Sequence, residues 1–83
     1  MTVLPYLVWF GLSSALLPDH DAFRRTERAA ELAVQANAVE GQRRRWEREL
    51  SARPDDELAL FGLATLARLR FDYGTAERLY QRL

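Results

Sequence analysis

Apolar and polar positions follow helical spacing along the chain from Pro18 onward. One helix face is marked at i, i+3, i+4 and i+7 by Leu60, Leu63, Ala64 and Ala67. After residue 20 there is no strand-length run of alternating apolar and polar residues, and no Asn-Gly or Asp-Gly pair marks a hairpin. The pattern therefore predicts an all-α fold, with helices near 21–37, 38–53, 55–70 and 73–83.

The predicted helix boundaries rest on a few residues with strong local preferences. Asn37 tolerates a left-handed backbone, so the first helix is predicted to end there. Pro54 ends the second helix, because the residue before a proline is pushed out of the helical region. Asp55 and Asp56 then supply carboxylates to the start of the third helix, where free backbone amides favour negative charge. We interpret this acidic cluster as helix capping.

The third predicted helix is apolar nearly all round. Leu58 and Leu69 lie on the side opposite Leu60, and Phe61 lies between the two sides. A helix of this kind needs neighbours on more than one side. The pattern therefore favours stacked helical hairpins over an isolated pair of helices.

The amino-terminal segment, residues 1–20, is different in character, because residues 3–17 carry no charge. This stretch is shorter than the roughly 17–25 residues of a membrane span and fits the roughly 7–15 residues of a signal-peptide core better. Ser13 and Ala15 have a cleavable spacing, but no Lys or Arg precedes Arg24. Three hypotheses stay open. The segment is a signal or membrane-contacting stretch over residues 1–15 of an exported or membrane-associated protein. Alternatively it is an apolar helix that packs on the rest of a cytoplasmic protein, or it reflects a wrongly assigned start within a longer chain.

The chain resembles itself when it is shifted so that Asp21 falls on Asp55. Trp46 then falls on Tyr80, one large aromatic residue on another. From Asp21 onward, the other identical pairs at this shift are Ala30 and Ala64, Leu32 and Leu66, Ala33 and Ala67, Arg44 and Arg78, and Arg48 and Arg82. The period divides the chain into one unit over 21–54 and a second, incomplete unit over 55–83.

Helix–turn–helix units with a period of about 34 residues resemble the tetratricopeptide repeat (TPR) family. The second unit has the family's spacing in Leu60-x2-Leu63-Ala64-x2-Ala67 and in Ala76-x3-Tyr80. The stretch 71–76 is similar to the family's turn between helices, with Phe71 in place of the usual glycine. The first unit closes with the typical Trp46-x3-Leu50-x3-Pro54. It departs from the pattern at Thr26 and Ala29, where large residues belong, and at Gln42, which replaces the small alanine.

The resemblance implies an α-solenoid of antiparallel helical hairpins, preceded here by the apolar segment. Small residues let the helices approach closely and aromatic residues fill the space between hairpins. The core implied in this way is Trp46, Leu50, Leu60, Leu63, Ala64, Ala67, Ala76 and Tyr80. Members of the family bind a peptide or a partner helix on the concave face formed by the first helix of each repeat. The partner-binding residues implied on this chain are Arg24, Glu27, Glu31, Leu58, Phe61, Thr65 and Arg68.

The amino-acid composition excludes several classes of functional site. There is no cysteine and no lysine, which excludes disulfides, thiolate metal sites and Schiff-base catalysis. His20 is the one histidine, so we expect no metal and no cofactor, and we interpret it as a cap or loop residue. Twelve basic and twelve acidic residues balance, which argues against nucleic acid as a partner. No catalytic motif is present, and the sequence predicts a non-enzymatic protein.

The run from Arg43 to Arg45 has a simpler interpretation than a basic patch. Arg43 lies four residues before Glu47, and Arg45 lies four before Glu49. Glu40 similarly lies four before Arg44. Pairs at this spacing form ion pairs on the helix surface. We therefore expect a solvated helix face here.

Two functional hypotheses follow from the sequence. The leading one is a non-catalytic TPR-type scaffold that binds a protein or peptide. The alternative is a structural leader or spacer of a larger exported or membrane-associated protein whose active domain lies beyond Leu83, with membrane contact through residues 3–17. Repeat arrays usually need a polar capping helix. None follows the fourth helix, which leaves three hypotheses: the chain opens a longer protein, it is truncated, or it closes its end by self-association through that helix.

Overall fold

The computed structural model describes residues 20–83, and these residues form four α-helices. We number them α1 (His20–Gln35), α2 (Val39–Ala52), α3 (Glu57–Leu69) and α4 (Tyr73–Gln81). No strand occurs in this part of the chain, so the all-α prediction is confirmed. The predicted apolar helix over residues 3–17 lies outside the described residues.

The turn between α1 and α2 is built around Asn37. Its φ is 55°, in the left-handed region that asparagine tolerates better than most residues. The backbone amide of Ala38 donates to the carbonyl of Ala33 at 2.7 Å, and that of Asn37 donates to Val34 at 3.2 Å. These bonds satisfy carbonyls at the end of α1 that have no partner within the helix. The helix break predicted at Asn37 is present.

The two helices of the second half begin with aspartate caps. The Asp56 carboxylate accepts from the Ala59 amide at 3.2 Å, and the Asp72 carboxylate accepts from the Thr75 amide at 3.3 Å. Each cap satisfies a backbone donor that the first turn of a helix leaves unpaired. Capping of α3 by Asp56 thus agrees with the sequence interpretation.

The turn between α3 and α4 uses a residue poorly suited to it. Phe71 has a φ of 65° although it is not glycine. A bulky side chain in the left-handed region costs roughly 1–2 kcal/mol. The Phe71 side chain is 77% exposed, and its ring meets the Tyr73 ring edge-on at 6.3 Å between centroids.

Helix α3 is the centre of the described fold, because it contacts each of the other three helices. The short turns reverse the chain each time, so α1 and α3 run parallel. Arg82, after α4, donates to the carbonyl of Pro54 at 3.3 Å, which brings the end of α4 beside the start of α3. The residues of α3 that are buried are Ala59, Leu60, Gly62, Leu63, Ala64, Thr65 and Leu66. The prediction that this helix needs several neighbours agrees with these contacts.

The closest approach between helices lies where α2 crosses α3. Trp46 is only 6% exposed, and its indole ring lies flat against the backbone of α3 at Gly62. A Cβ atom added to Gly62 would lie 2.7 Å from the Trp46 ring. Glycine in the middle of a helix normally costs about 1 kcal/mol relative to alanine. At this position it makes room for the indole.

The predicted core divides into two groups. The structure buries Trp46, Leu60, Leu63, Ala64 and Ala76. It leaves three other predicted core residues half-buried, namely Leu50, Ala67 and Tyr80. Leu50 packs on the edge of the core cluster, and the other two face grooves beside α4.

Candidate functional site

Three aromatic rings from different helices meet on α3. The ring of Phe61 meets that of Phe23 on α1 edge-on, with 5.1 Å between centroids and an interplanar angle of 81°. It also meets that of Tyr80 on α4 at 6.2 Å and 55°. All three side chains are half-buried. We call Phe23, Phe61 and Tyr80 the aromatic cluster. Edge-to-face contacts of this kind hold the rings in fixed positions beyond what area burial provides.

The predicted partner-binding residues of α1 lie along one face of that helix. Arg24 is exposed, whereas Glu27 and Glu31 are half-buried. Glu31 forms an ion pair with Arg28 at 3.5 Å. Arg24 has no ion pair with any of residues 20–83. Its guanidinium is therefore the charge of this helix best placed to meet a partner's carboxylate.

The predicted partner-binding residues of α3 have different neighbours. Phe61 belongs to the aromatic cluster, but Leu58 lines a pocket beside Trp46 and Ala22, between α1 and α2. Arg68 lies two turns after Phe61 on the same face of α3, in a groove that also contains Tyr80 of the aromatic cluster.

Thr65 requires a correction. Its side chain is completely buried, and its hydroxyl donates to the Phe61 carbonyl at 2.8 Å. A hydroxyl in a helix often bonds in this way to the carbonyl four residues earlier. The residue therefore offers no exposed surface to a partner in this structure. The sequence pattern placed Thr65 beside Phe61 and Arg68, but it could not show the depth at which α3 lies.

A groove between α3 and α4, which we call the terminal groove, encloses about 480 Å³. Tyr73, Ala76 and Tyr80 give it an almost wholly apolar wall, and Tyr73 is 61% exposed. Arg68, Glu77 and Gln81 complete its lining. An exposed apolar surface beside polar residues is typical of an interaction site. Helix α4, for which the sequence raised self-association, forms most of this groove.

A second groove, of about 480 Å³, runs between α2 and α4 above α3. Its floor includes Leu63, Leu66 and Ala67, and charged residues such as Arg43 and Asp72 stand at its edges. Sequence reasoning did not identify this groove. It exists because α2 and α4 each pack on α3 and not on one another.

Two arginines of the run 43–45 form ion pairs on the surface of α2. Arg43 donates to Glu47 at 2.7 Å and also to Glu40. The hydrogen bond from Arg43 lowers the pKa of the Glu40 carboxyl, and bonding to both carboxylates raises the pKa of Arg43. Arg45 pairs with Glu49 at 3.7 Å, as the spacing predicts. Glu40 bonds to Arg43 instead of the expected Arg44, because i,i+3 positions are also neighbours on a helix.

The described part of the chain was compared with two other kinds of site, a metal site and a membrane-spanning helix. Within residues 20–83, no three His, Cys, Asp or Glu side chains are grouped so that they could hold a metal ion. His20 is an exposed residue at the start of α1. None of the four helices has the length and apolar character needed to cross a membrane.

Comparison with known proteins leaves the family open. No family model matches the sequence, and no curated protein or solved structure is significantly similar to it. The case for any function therefore rests on the residues and contacts described above.

Proposed function

We propose that the chain is a non-catalytic interaction module of the tetratricopeptide-repeat type, which binds a peptide or a partner helix across α1 and α3. The aromatic cluster carries this proposal. It presents three half-buried rings, from three helices, on a rigid support. Aromatic residues fixed in this way are the kind that supply most of the binding energy in protein interfaces.

The repeat character is supported by the order of contacts and by the turns. Each hairpin packs through α3, and the turn residues with positive φ, Asn37 and Phe71, occupy the same position in successive units. Trp46 and Tyr80 are also equivalent between the two units. Such a stack places α1 and α3 side by side, as a peptide-binding face of this type requires.

The charges suggest the chemistry of the ligand. Arg24 is exposed in the first turns of α1 and directly follows Phe23 of the aromatic cluster in the sequence. A ligand with an apolar anchor for Phe61 and a carboxylate for Arg24 fits this arrangement. Glu27 and Glu31 on the same helix disfavour a strongly acidic ligand.

Selection from a library of short random peptides displayed on phage tests the proposal. We expect selected peptides to share an apolar anchor, and we expect Phe61→Ala to abolish their binding in fluorescence anisotropy. Phe71→Ala is the control, since Phe71 is an exposed aromatic residue outside the cluster. Because Phe61→Ala also removes packing, Arg24→Glu provides a second probe, with Arg44→Glu on α2 as its control. Equal binding by Arg24→Glu, Phe61→Ala and wild type would exclude this face as the site.

A further inference from the structure

The terminal groove of the second hairpin corresponds to the surface of the first hairpin that α3 covers. In the first hairpin, Trp46 is covered by α3, which places Gly62 against the indole. In the second hairpin, Tyr80 takes the place of Trp46 and lines the open terminal groove. Tyr73 likewise corresponds to Val39, which packs against the core. The groove is therefore suited to bind a helix whose sequence resembles that of α3.

One segment of this chain outside the described residues has those features. Residues 7–16 align with residues 58–67 without a gap, and both contain Phe-Gly-Leu at the same place. Leu7 matches Leu58, and Ser14 matches Thr65. Gly11 matches Gly62, the residue that makes room for the Trp46 ring. Residues 3–17 carry no charge, which suits a groove whose wall is almost entirely apolar.

The geometry of the fold decides which copy of the chain can supply the segment. A helix that packs on the second hairpin in the way that α3 packs on the first would lie two helix spacings from α1, or about 16 Å and more. Its last residue would also lie near the end of α3, whereas α1 starts beside the start of α3. Three Cα–Cα steps separate residue 17 from residue 20, and they span at most about 11 Å. The same chain cannot bridge that distance.

We propose that the terminal groove binds residues 7–16 of a second copy of this chain, with Gly11 against the Tyr80 ring. The contact joins two different surfaces, an amino-terminal donor and a carboxyl-terminal acceptor. Exchange in both directions closes a dimer, because the same donor–acceptor contact then forms twice about a two-fold axis. This proposal does not depend on a ligand at the aromatic cluster.

Two variants of the full chain separate donor from acceptor. Leu12→Asp places a charge in the donor at the position of buried Leu63. Tyr73→Asp places one in the acceptor, at an exposed residue in the first turn of α4, where a carboxylate is compatible with the helix. Phe71→Asp is the matched control, because Phe71 is exposed nearby, does not line the groove, and has a φ that aspartate tolerates.

Sedimentation velocity measures the outcome, with circular dichroism to check that each variant is folded. We expect wild type and Phe71→Asp to be dimeric, and we expect the other two variants to dissociate with a Kd at least about tenfold higher. An equimolar mixture of Leu12→Asp and Tyr73→Asp should form a heterodimer, because one intact donor and one intact acceptor are then present.

Three results would overturn the proposal. The first is a monomeric wild type, and the second is undiminished association of Tyr73→Asp. The third is a mixture that remains as dissociated as its components. Peptide binding by the Tyr73→Asp monomer distinguishes the two proposals, because binding through Phe61 should survive when association is lost.

Discussion

The two hairpins have related sequences but differ in what covers their aromatic residues. Trp46 is 6% exposed because α3 lies across it, whereas Tyr80 is half-buried and borders an open groove. Both residues occupy the same place in the repeated unit. The difference shows that the burial of each aromatic residue is set by the helix that packs across it and not by the residue's own hairpin.

Truncating both aromatic side chains is the strongest test of this difference in burial. We expect Trp46→Ala to lower the free energy of unfolding by about 3–5 kcal/mol, because a covered indole leaves a cavity. In the Leu12→Asp background, where association is weakened, Tyr80→Ala should cost about 1–2 kcal/mol, since only part of its ring is removed from water. Urea denaturation followed by circular dichroism measures both values. Equal losses would show that the two residues are equally covered in solution.

The contact that covers Trp46 can be tested from the other side. Gly62→Ala places a methyl group 2.7 Å from the indole, and we expect it to cost about 1–3 kcal/mol through overpacking. Gly41→Ala is the control, because an added Cβ there meets no atom within 4 Å. This control should stabilise the protein by about 0.5–1 kcal/mol through its effect on helix formation. A stabilising Gly62→Ala would show that α2 and α3 are further apart in solution than in this structure.

The turns of the two hairpins offer a smaller contrast. Phe71→Gly should stabilise the protein by about 1 kcal/mol, because glycine adopts a φ of 65° without steric cost. Asn37→Gly should change stability by only a few tenths of a kcal/mol, since asparagine already tolerates this conformation. Thermal unfolding measures both changes. Phe71→Ala is the control, and a gain from it equal to that of Phe71→Gly would assign the effect to the lost ring.

The smallest expected effect concerns the cap of α4. Hydrogen bonds from Thr75 lower the pKa of the Asp72 carboxyl below its ordinary value of 3.8. A carboxyl with a lowered pKa in the folded state stabilises the fold above that ordinary value, and this contribution disappears as the pH falls through the lowered pKa.

We therefore expect Asp72→Asn to lower the melting temperature slightly at pH 7, and we expect its difference from wild type to shrink at pH 3. Melting curves at the two pH values measure this. A constant difference would show that the charge of Asp72 does not contribute.

The sequence predicted the helices well because their signals are local. The apolar spacing in α3, the left-handed preference of Asn37 and the aspartates before α3 each act within a few residues. The predicted bounds of all four helices accordingly lie within a few residues of those in the structure.

The candidate site was less accessible to sequence reasoning because it depends on how helices cross. The close approach of Trp46 to Gly62 requires a particular spacing of α2 and α3 that no local pattern specifies. A glycine inside an apolar helix was the available signal, since it often marks a close backbone approach. The burial of Thr65 and the pairing of Phe61 with Phe23 likewise arise only when the helices pack.

The central position of α3 has a consequence for the way the protein unfolds. The helices of the first hairpin approach α3 more extensively than they approach each other, and the backbones of α2 and α4 do not come close together. Many stacked folds lose one repeat at a time, because each repeat is stabilised mainly by its neighbours. Here the loss of α3 removes the shared partner of every other helix at once. The four helices should therefore unfold as a single cooperative unit, with hydrogen-exchange protection that is similar in α1, α2 and α4.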